Sequence, residues 1–279
     1  MLDLKYKIVA DSSIDVKAVS GVDFAVASLK IITAEREFVD DDSLDIEAMA
    51  DYLLTYSGKS QTSCPNPADW ISAFADADRV FCITITATLS GSYNAAMIAK
   101  RQYEEEHPDR RVFVINSLST GPEMALIADK LSALISEGME FDAICEAITE
   151  YTKTTGLLFM LESMRNLVNN GRVSPIVAKI AGFLGFRVVG KASDKGDLEQ
   201  LDKCRGEPRA LASMLENMKK LGYKGKRVNI AHCLNESAAQ KLKALIVAEF
   251  ADADVKIYSL GGLCSFYAEK HGIIVGFEK

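Results

Sequence analysis

The sequence predicts an α/β protein of two α/β domains, the first a mainly parallel sheet with helices on both faces, the second a mixed sheet with helices. Three observations carry this. Short β-rich runs alternate with amphipathic helical patterns through the first half, a hairpin pattern interrupts the alternation in the second, and the charge balance changes sign near residue 155. Residues 1–155 hold 13 Lys+Arg against 26 Asp+Glu, whereas residues 156–279 hold 19 against 13. The expected division is therefore 1–155 and 156–279.

In the first half, Lys7–Ala10, Ala25–Ile32, Val80–Ile85 and Val112–Ile115 read as strands. Between them, Asp45–Tyr56, Pro67–Phe74, Ser92–Glu105, Glu123–Ser136 and Phe141–Tyr151 place apolar residues three and four apart, the spacing of one helix face. Strand–helix alternation needs right-handed crossovers, which give parallel pairing with both sheet faces covered. In the second half, Leu157–Leu161, Arg187–Gly190, Leu198–Lys203, Arg227–His232, Asp254–Tyr258 and Ile273–Phe277 are the strand candidates. The turn-rich Ser193-Asp194-Lys195-Gly196-Asp197 between the second and third of these predicts an antiparallel hairpin, and Asn169 to Pro175 predicts a turn opening a helix.

Composition narrows the function classes. With 279 residues, 48 % hydrophobic and 25 % charged, the chain has ample core and the make-up of an ordinary globular protein. No apolar run approaches the roughly 18 residues of a membrane span, which leaves only transient surface contact with a membrane. The start, Met1-Leu2-Asp3-Leu4-Lys5, has no secretory pattern, and the six cysteines form no Cys-x-x-Cys pair, so a cytoplasmic protein with reduced thiols and no metal site is expected. A net charge of −7 disfavours nucleic acid. The basic second half is most simply a solvated surface; it also suits an anionic group or an acidic partner. The acidic run Asp40-Asp41-Asp42 reads as a solvated approach to a helix rather than a cation site.

Ligands of open parallel sheets sit beyond the carboxyl ends of the strands, and the loops there are rich in hydroxyls. Asp11-Ser12-Ser13 follows the first strand, Thr84 to Ser92 the third and Asn116 to Gly121 the fourth, while Thr62-Ser63-Cys64-Pro65 precedes a helix. Singly, each is a turn or a helix cap; four together suggest a carboxylate or phosphate pocket. Neither Gly-x-x-x-x-Gly-Lys-Ser/Thr nor Gly-x-Gly-x-x-Gly occurs, so no nucleotide cofactor is expected. An acyl hydrolase or transferase, in which Ser90 attacks and His232 takes the proton, ranks second because Ser90 lacks the Gly-x-Ser-x-Gly elbow. Arg172 and Arg205, near Lys179, Lys191, Lys203 and Arg209, could grip a phosphate or an acidic surface.

Six motifs in order, Asp11-Ser12-Ser13, Thr62-Ser63-Cys64-Pro65, Leu89 to Asn94, Asn116-Ser117, Asn170 to Ser174 and Lys203 to Gly206, resemble the DegV family of bacterial fatty-acid-binding proteins over nearly the whole chain. The resemblance implies one long-chain fatty acid between two domains, its carboxyl group held by Thr62, Ser63, Ser90, Gly91 and Ser92, with Ser12, Asn94 and His232 as additional candidates. It also implies a separate ATP-dependent fatty-acid kinase that forms an acyl phosphate, docked through Arg172 and Arg205, so that this chain is a carrier rather than an enzyme. Two departures stand out. Cys64 replaces the family's usual Gln, and Leu260 to Tyr267 replaces a His-Thr-Gly-Pro-Gly-like segment, leaving Ser265 or Tyr267 to supply the missing donor.

Overall fold

The computed structural model describes residues 4–174 and 185–279. In chain order its first half runs β1 (Tyr6–Asp11), β2 (Asp23–Ala27), β3 (Lys30–Ile32), β4 (Glu37–Val39), α1 (Ile46–Thr55), β5 (Gln61–Ser63), α2 (Pro67–Phe74), β6 (Arg79–Thr84), α3 (Ser92–Glu106), β7 (Arg111–Asn116), α4 (Gly121–Ser136) and α5 (Phe141–Thr152). The second half runs β8 (Thr155–Leu161), α6 (Arg165–Asn169), β9 (Phe186–Ala192), β10 (Leu198–Arg205), α7 (Glu207–Lys220), β11 (Val228–His232), α8 (Glu236–Glu249), β12 (Val255–Ser259), α9 (Gly262–Ala268) and β13 (Ile273–Glu278). The helix expected after Pro175, together with Lys179, lies outside the described residues.

Strands β2-β1-β6-β7 form a parallel sheet, as strand–helix alternation requires. β10-β9-β8-β13-β11-β12 form a mixed sheet whose β9–β10 hairpin is antiparallel around the predicted turn. Helix α4 lies against strands of both sheets. That placement explains its composition: every residue from Gly121 to Ala128 is buried, so the first two turns have no polar face, and the partly exposed side begins only at Asp129, Lys130 and Ala133.

One sequence expectation is corrected. Ala25–Ile32 is not a single strand: β2 joins the parallel sheet, and β3 turns away into a separate antiparallel sheet ordered β4-β3-β5. The break falls where the Leu29 backbone bonds elsewhere, its N–H donating to Ser12 Oγ at 3.0 Å and its carbonyl accepting from Asp40 N at 2.9 Å. The first bond takes the Leu29 N–H away from the parallel sheet, and the second extends the antiparallel pairing of β3 with β4.

A second correction concerns Asp40, which is 5 % exposed rather than solvated. Its carboxylate accepts from Gly262 N at 2.6 Å, Leu263 N at 3.0 Å and Ser12 Oγ at 2.8 Å. The first N–H groups of a helix have no partner within it. Asp40, more than two hundred residues upstream, supplies one for α9. Among the described residues no group of His, Cys, Asp and Glu is arranged to hold a metal, and no helix is long and apolar enough to cross a membrane.

Removing the Asp40 carboxylate strands three buried donors. Asp40→Ala should lose about 2–4 kcal/mol of stability, read as a lower urea midpoint at unchanged slope. An unchanged midpoint would mean that α9 is held by its apolar contacts alone.

Candidate functional site

Residues from both halves of the chain enclose a cavity of about 310 Å3. Its wall is mostly apolar: Leu157, Phe159 and Leu161 of β8 project from one sheet face, joined by Ile274, Leu198 and Leu263. Thr62, Ser63, Ser90, Arg172 and Tyr267, with Gly91, make one polar corner of the lining, tied by the Thr62–Tyr267 and Arg172–Leu89 bonds, and Thr86, Ser119 and Thr120 are further polar residues of the wall. Thr62 and Arg172 also border a polar cleft of about 480 Å3 with Ser57 to Gln61, Asn169 and Asn170. Ser90 and Arg172 border a further shallow depression. The polar corner of the cavity is therefore the part that faces outward.

Each polar group is placed by a separate element. Thr62 and Ser63 lie on β5, paired with Ile31 and Lys30 of β3. The following helix is capped by Asn66, whose side chain accepts from Ala68 N and Asp69 N, so these hydroxyls are not spent on capping. Ser90 lies in the loop between β6 and α3 and accepts from Ser92 N at 3.2 Å, which leaves its O–H to donate elsewhere. Arg172 is tied back by its Nε to the Leu89 carbonyl at 3.1 Å and by Nη1 to the Asn170 carbonyl. Tyr267, on α9, meets Thr62 Oγ1 at 2.8 Å. Burial raises the Tyr267 phenol above its ordinary value, more than its hydrogen bond with Thr62 and the charge of Arg172 lower it. The hydroxyl therefore keeps its proton at neutral pH.

Of the two donors named for the divergent C-terminal segment, only Tyr267 reaches the cavity. Ser265, also on α9, is buried and its Oγ donates to the Leu260 carbonyl at 3.2 Å. Thr62, Ser63, Ser90, Gly91 and Arg172 line the cavity. The structure does not bring the remaining candidates to it.

Ser92 is fully buried and donates to Asp11 at 2.6 Å, because the first turn of α3 points it into the protein. Ser12 donates to Asp40. Asn94 is exposed on α3, and Arg205 is exposed at the end of β10. His232 is buried at the end of β11, where Nδ1 accepts from Asn235 N at 3.3 Å and burial lowers its pKa below the usual value. It does not line the cavity beside Ser90, so the nucleophile–base pair of the hydrolase reading is not assembled. Cys64 and Cys264 also line the cavity, and burial raises both thiols, which leaves them protonated rather than nucleophilic.

Behind the polar corner lies a set of buried carboxyl groups. Asp11 accepts from Ser13 Oγ at 2.5 Å, Ser92 Oγ at 2.6 Å and Ile85 N at 2.9 Å, tying the end of β1 to β6 and α3. Asp15 accepts from Gly261 N at 2.9 Å through Oδ1, while its buried Oδ2 has no hydrogen-bond partner among the described residues. Burial raises Asp11, Asp15 and Asp40 above the ordinary carboxyl range, and for Asp15 the neighbouring Asp40 adds to the effect. The wall formed by the loop between β6 and α3 is closed by the hairpin tip. Thr88 Oγ1 donates to the Lys195 carbonyl at 2.7 Å, and Gly196, at φ +82°, sits so close to Thr86 that a Cβ would lie 2.0 Å from its hydroxyl oxygen.

The chain is thus an α/β protein folded around a mostly apolar cavity with hydroxyls and one arginine in its lining. The comparisons place it in one group. A family model described as an uncharacterised protein of the DegV family matches residues 5–279, and the chain belongs to that family. A DegV domain-containing protein of Streptococcus pneumoniae is 42 % identical over 279 residues, covering 99 % of each chain. The structure is similar to a DegV family protein from Eubacterium eligens loaded with heptadecanoic acid, with TM-score 0.97, 44 % identity and coverage of 98 % of this chain and 99 % of that one. It is similar also to the Streptococcus pneumoniae Fatty Acid Kinase (Fak) B3 protein loaded with linoleic acid, with TM-score 0.96, 42 % identity and 99 % of each chain covered.

The raised Asp15 predicts a pH dependence. A carboxyl whose folded pKa exceeds its unfolded value stabilises the fold below the unfolded value and loses that contribution as pH rises through the folded one. Asp15→Asn resembles the protonated group and does not titrate. Relative to this variant, the wild type should lose stability steadily as pH rises above about 4, measured by urea unfolding at a series of pH values. Parallel curves for the two proteins would show that Asp15 ionises as freely when folded as when unfolded.

Proposed function

We propose that this chain binds one long-chain fatty acid, with the acyl tail against the β8 wall and the carboxyl group at the corner formed by Thr62, Ser63, Ser90, Arg172 and Tyr267, and that it presents this carboxyl to a separate ATP-dependent fatty-acid kinase. The observation that carries the reading is the asymmetry of the cavity: an apolar interior ends in a cluster of donors, and that cluster borders the outer cleft.

The energetics are consistent. About 14–16 methylenes removed from water contribute on the order of 10 kcal/mol gross at about 0.8 kcal/mol each, enough to retain the ligand after the cost of ordering it. Burying a carboxylate without partners would oppose this by several kcal/mol. Hydroxyl donors and one guanidinium offset that penalty, and Arg172 is the only one of them that carries charge.

Division of labour with a kinase follows from what the corner lacks. Among the described residues it contains donors and a cation but no general base beside Ser90, and the sequence has no phosphate loop, so this reading gives phosphoryl transfer to the partner. The loaded relatives support the ligand class, and the name of the Streptococcus pneumoniae protein supports the class of partner. The outer position of Arg172 suits both ends of the proposal: it can balance the carboxylate at rest and the added negative charge of an acyl phosphate.

Native mass spectrometry of the purified protein should show a stoichiometric fatty-acid adduct. Thr62→Val with Ser90→Ala should weaken fatty-acid binding about tenfold or more, the loss of one or two hydrogen bonds to a charged group, with a melting curve establishing that the variant is folded. An adduct-free wild type that takes up no added oleate would overturn the proposal. Stoichiometric loading with no acyl phosphate formed by a purified fatty-acid kinase and ATP would remove the presentation step and leave carriage.

A further inference from the structure

The mixed sheet presents a row of residues directly opposite one another toward the cavity. Ile274 of β13 pairs with Phe159 of β8, Phe159 pairs with Gly190 of β9, and Gly190 pairs with Gln200 of β10. Residues opposite each other in antiparallel strands point to the same face, so Gly190 offers its Cα on the side where Phe159 and Ile274 line the cavity. The Phe159 ring takes up that vacancy. A Cβ built on Gly190 would lie 2.3 Å from Phe159 Cζ and 2.7 Å from Cε2, distances no real side chain could hold.

The ring thus lies over the glycine along the sheet rather than standing out from it. Any side chain at Gly190 would lift it into the space the cavity now occupies, and a smaller side chain at Phe159 would deepen that space. An aromatic ring covering a glycine on the neighbouring strand is a recognised way to recover packing lost at glycine. Here the same arrangement also sets a dimension of the ligand chamber. Phe159 is separate in chain position and in sheet from Thr62, Ser63 and Ser90.

We infer that Phe159, laid flat on Gly190, is a specificity-determining residue that sets which acyl chains the cavity accepts, without contributing to recognition of the carboxyl group. The inference rests on the fatty-acid reading above and deepens it. Where a snugly fitting chain gains or loses a methylene, discrimination of about tenfold or more follows from lost contact or lost room. Removing the ring leaves a void beside a short saturated chain and makes room for a longer or kinked one.

The test is competitive binding of palmitate, stearate, oleate and linoleate to wild type, Phe159→Leu and Phe159→Ala, with fatty-acid stoichiometry followed by native mass spectrometry. Phe159→Ala should raise the affinity ratio of oleate to palmitate by about tenfold, with Phe159→Leu intermediate and total loading unchanged. Gly190→Ala should move the ratio the other way. Because its Cβ would also approach the Glu199 carbonyl oxygen at 2.6 Å, that variant is read only after a melting curve shows it folded. Phe159→Leu, close in volume, keeps the test independent of it.

The same preference order in wild type and both Phe159 variants, all of them loaded, would overturn the inference and leave the carrier reading standing. A wild type that binds none of the four acids would overturn both.

Discussion

Three backbone N–H groups at the start of α9, those of Gly261, Gly262 and Leu263, are accepted by two carboxyl groups from the first forty residues, Asp15 and Asp40. The α9 side of the cavity wall, with Leu263, Cys264, Tyr267 and Ala268, depends on this contact. Helix α9 has only seven residues, too few to be stable alone, so its place must be imposed from outside. Once it is held there, Leu263 packs into the core beside the parallel sheet, Cys264 into that beside the mixed sheet and Phe266 against Ile31 and Met49. Tyr267 then arrives within hydrogen-bond distance of Thr62. The burial that raises Asp15 and Asp40 opposes folding, and the bonds to otherwise orphaned helix donors recover part of that cost.

A second tension surrounds Asp11. Its buried carboxyl engages Ser92, which would otherwise be a fourth hydroxyl near Ser90, and its negative charge helps to raise the Cys64 thiol beside the cavity. A ligand carboxylate arriving at the same corner would meet that charge as repulsion. Three hydrogen bonds to Asp11 disperse it, and Arg172, held by the Leu89 and Asn170 carbonyls, brings the compensating positive charge to the opposite, outward side. On the proposed fatty-acid reading the corner would orient an acid electrostatically, with buried Asp11 on one side and Arg172 beside the outer cleft.

Much of this was legible in the sequence wherever period and turn chemistry agree. Pro67–Phe74 begins and ends where the apolar spacing and Asn66 say, and the Ser193–Asp197 turn closes the hairpin as its composition requires. Legibility failed where a distant side chain overrode local pattern. Ala25–Ile32 has continuous β character, yet Ser12 and Asp40 divide it. Asp40 looks solvated among three consecutive acids, and only the fold reveals the helix terminus it serves. In the site, spacing could place Ser90 and Ser92 near one another but not decide that one turn of helix directs Ser92 inward. Phe159 carried no signal at all, since a chamber-lining phenylalanine and a core phenylalanine obey the same alternation.

On the proposed reading, the two tasks of the chamber fall to different parts of the fold. Donors come from β5, the loop before α3, the Asn170–Arg172 turn and α9, each held by hydrogen bonds whose loss would disturb local geometry. Capacity comes from the face of the mixed sheet, where side chains interact only by packing and where volume-conserving change is tolerated. A substitution on that face alters how much chain fits without moving a donor, while a substitution in the corner alters the charge presented to the outside without changing how much chain fits. Selection for a different acyl chain would therefore act on sheet residues such as Phe159 and leave the interface of Arg172, Thr62 and Tyr267 intact. A sheet that closes the cavity on one side and loops that open it on the other make that separation a property of the architecture rather than of any single residue.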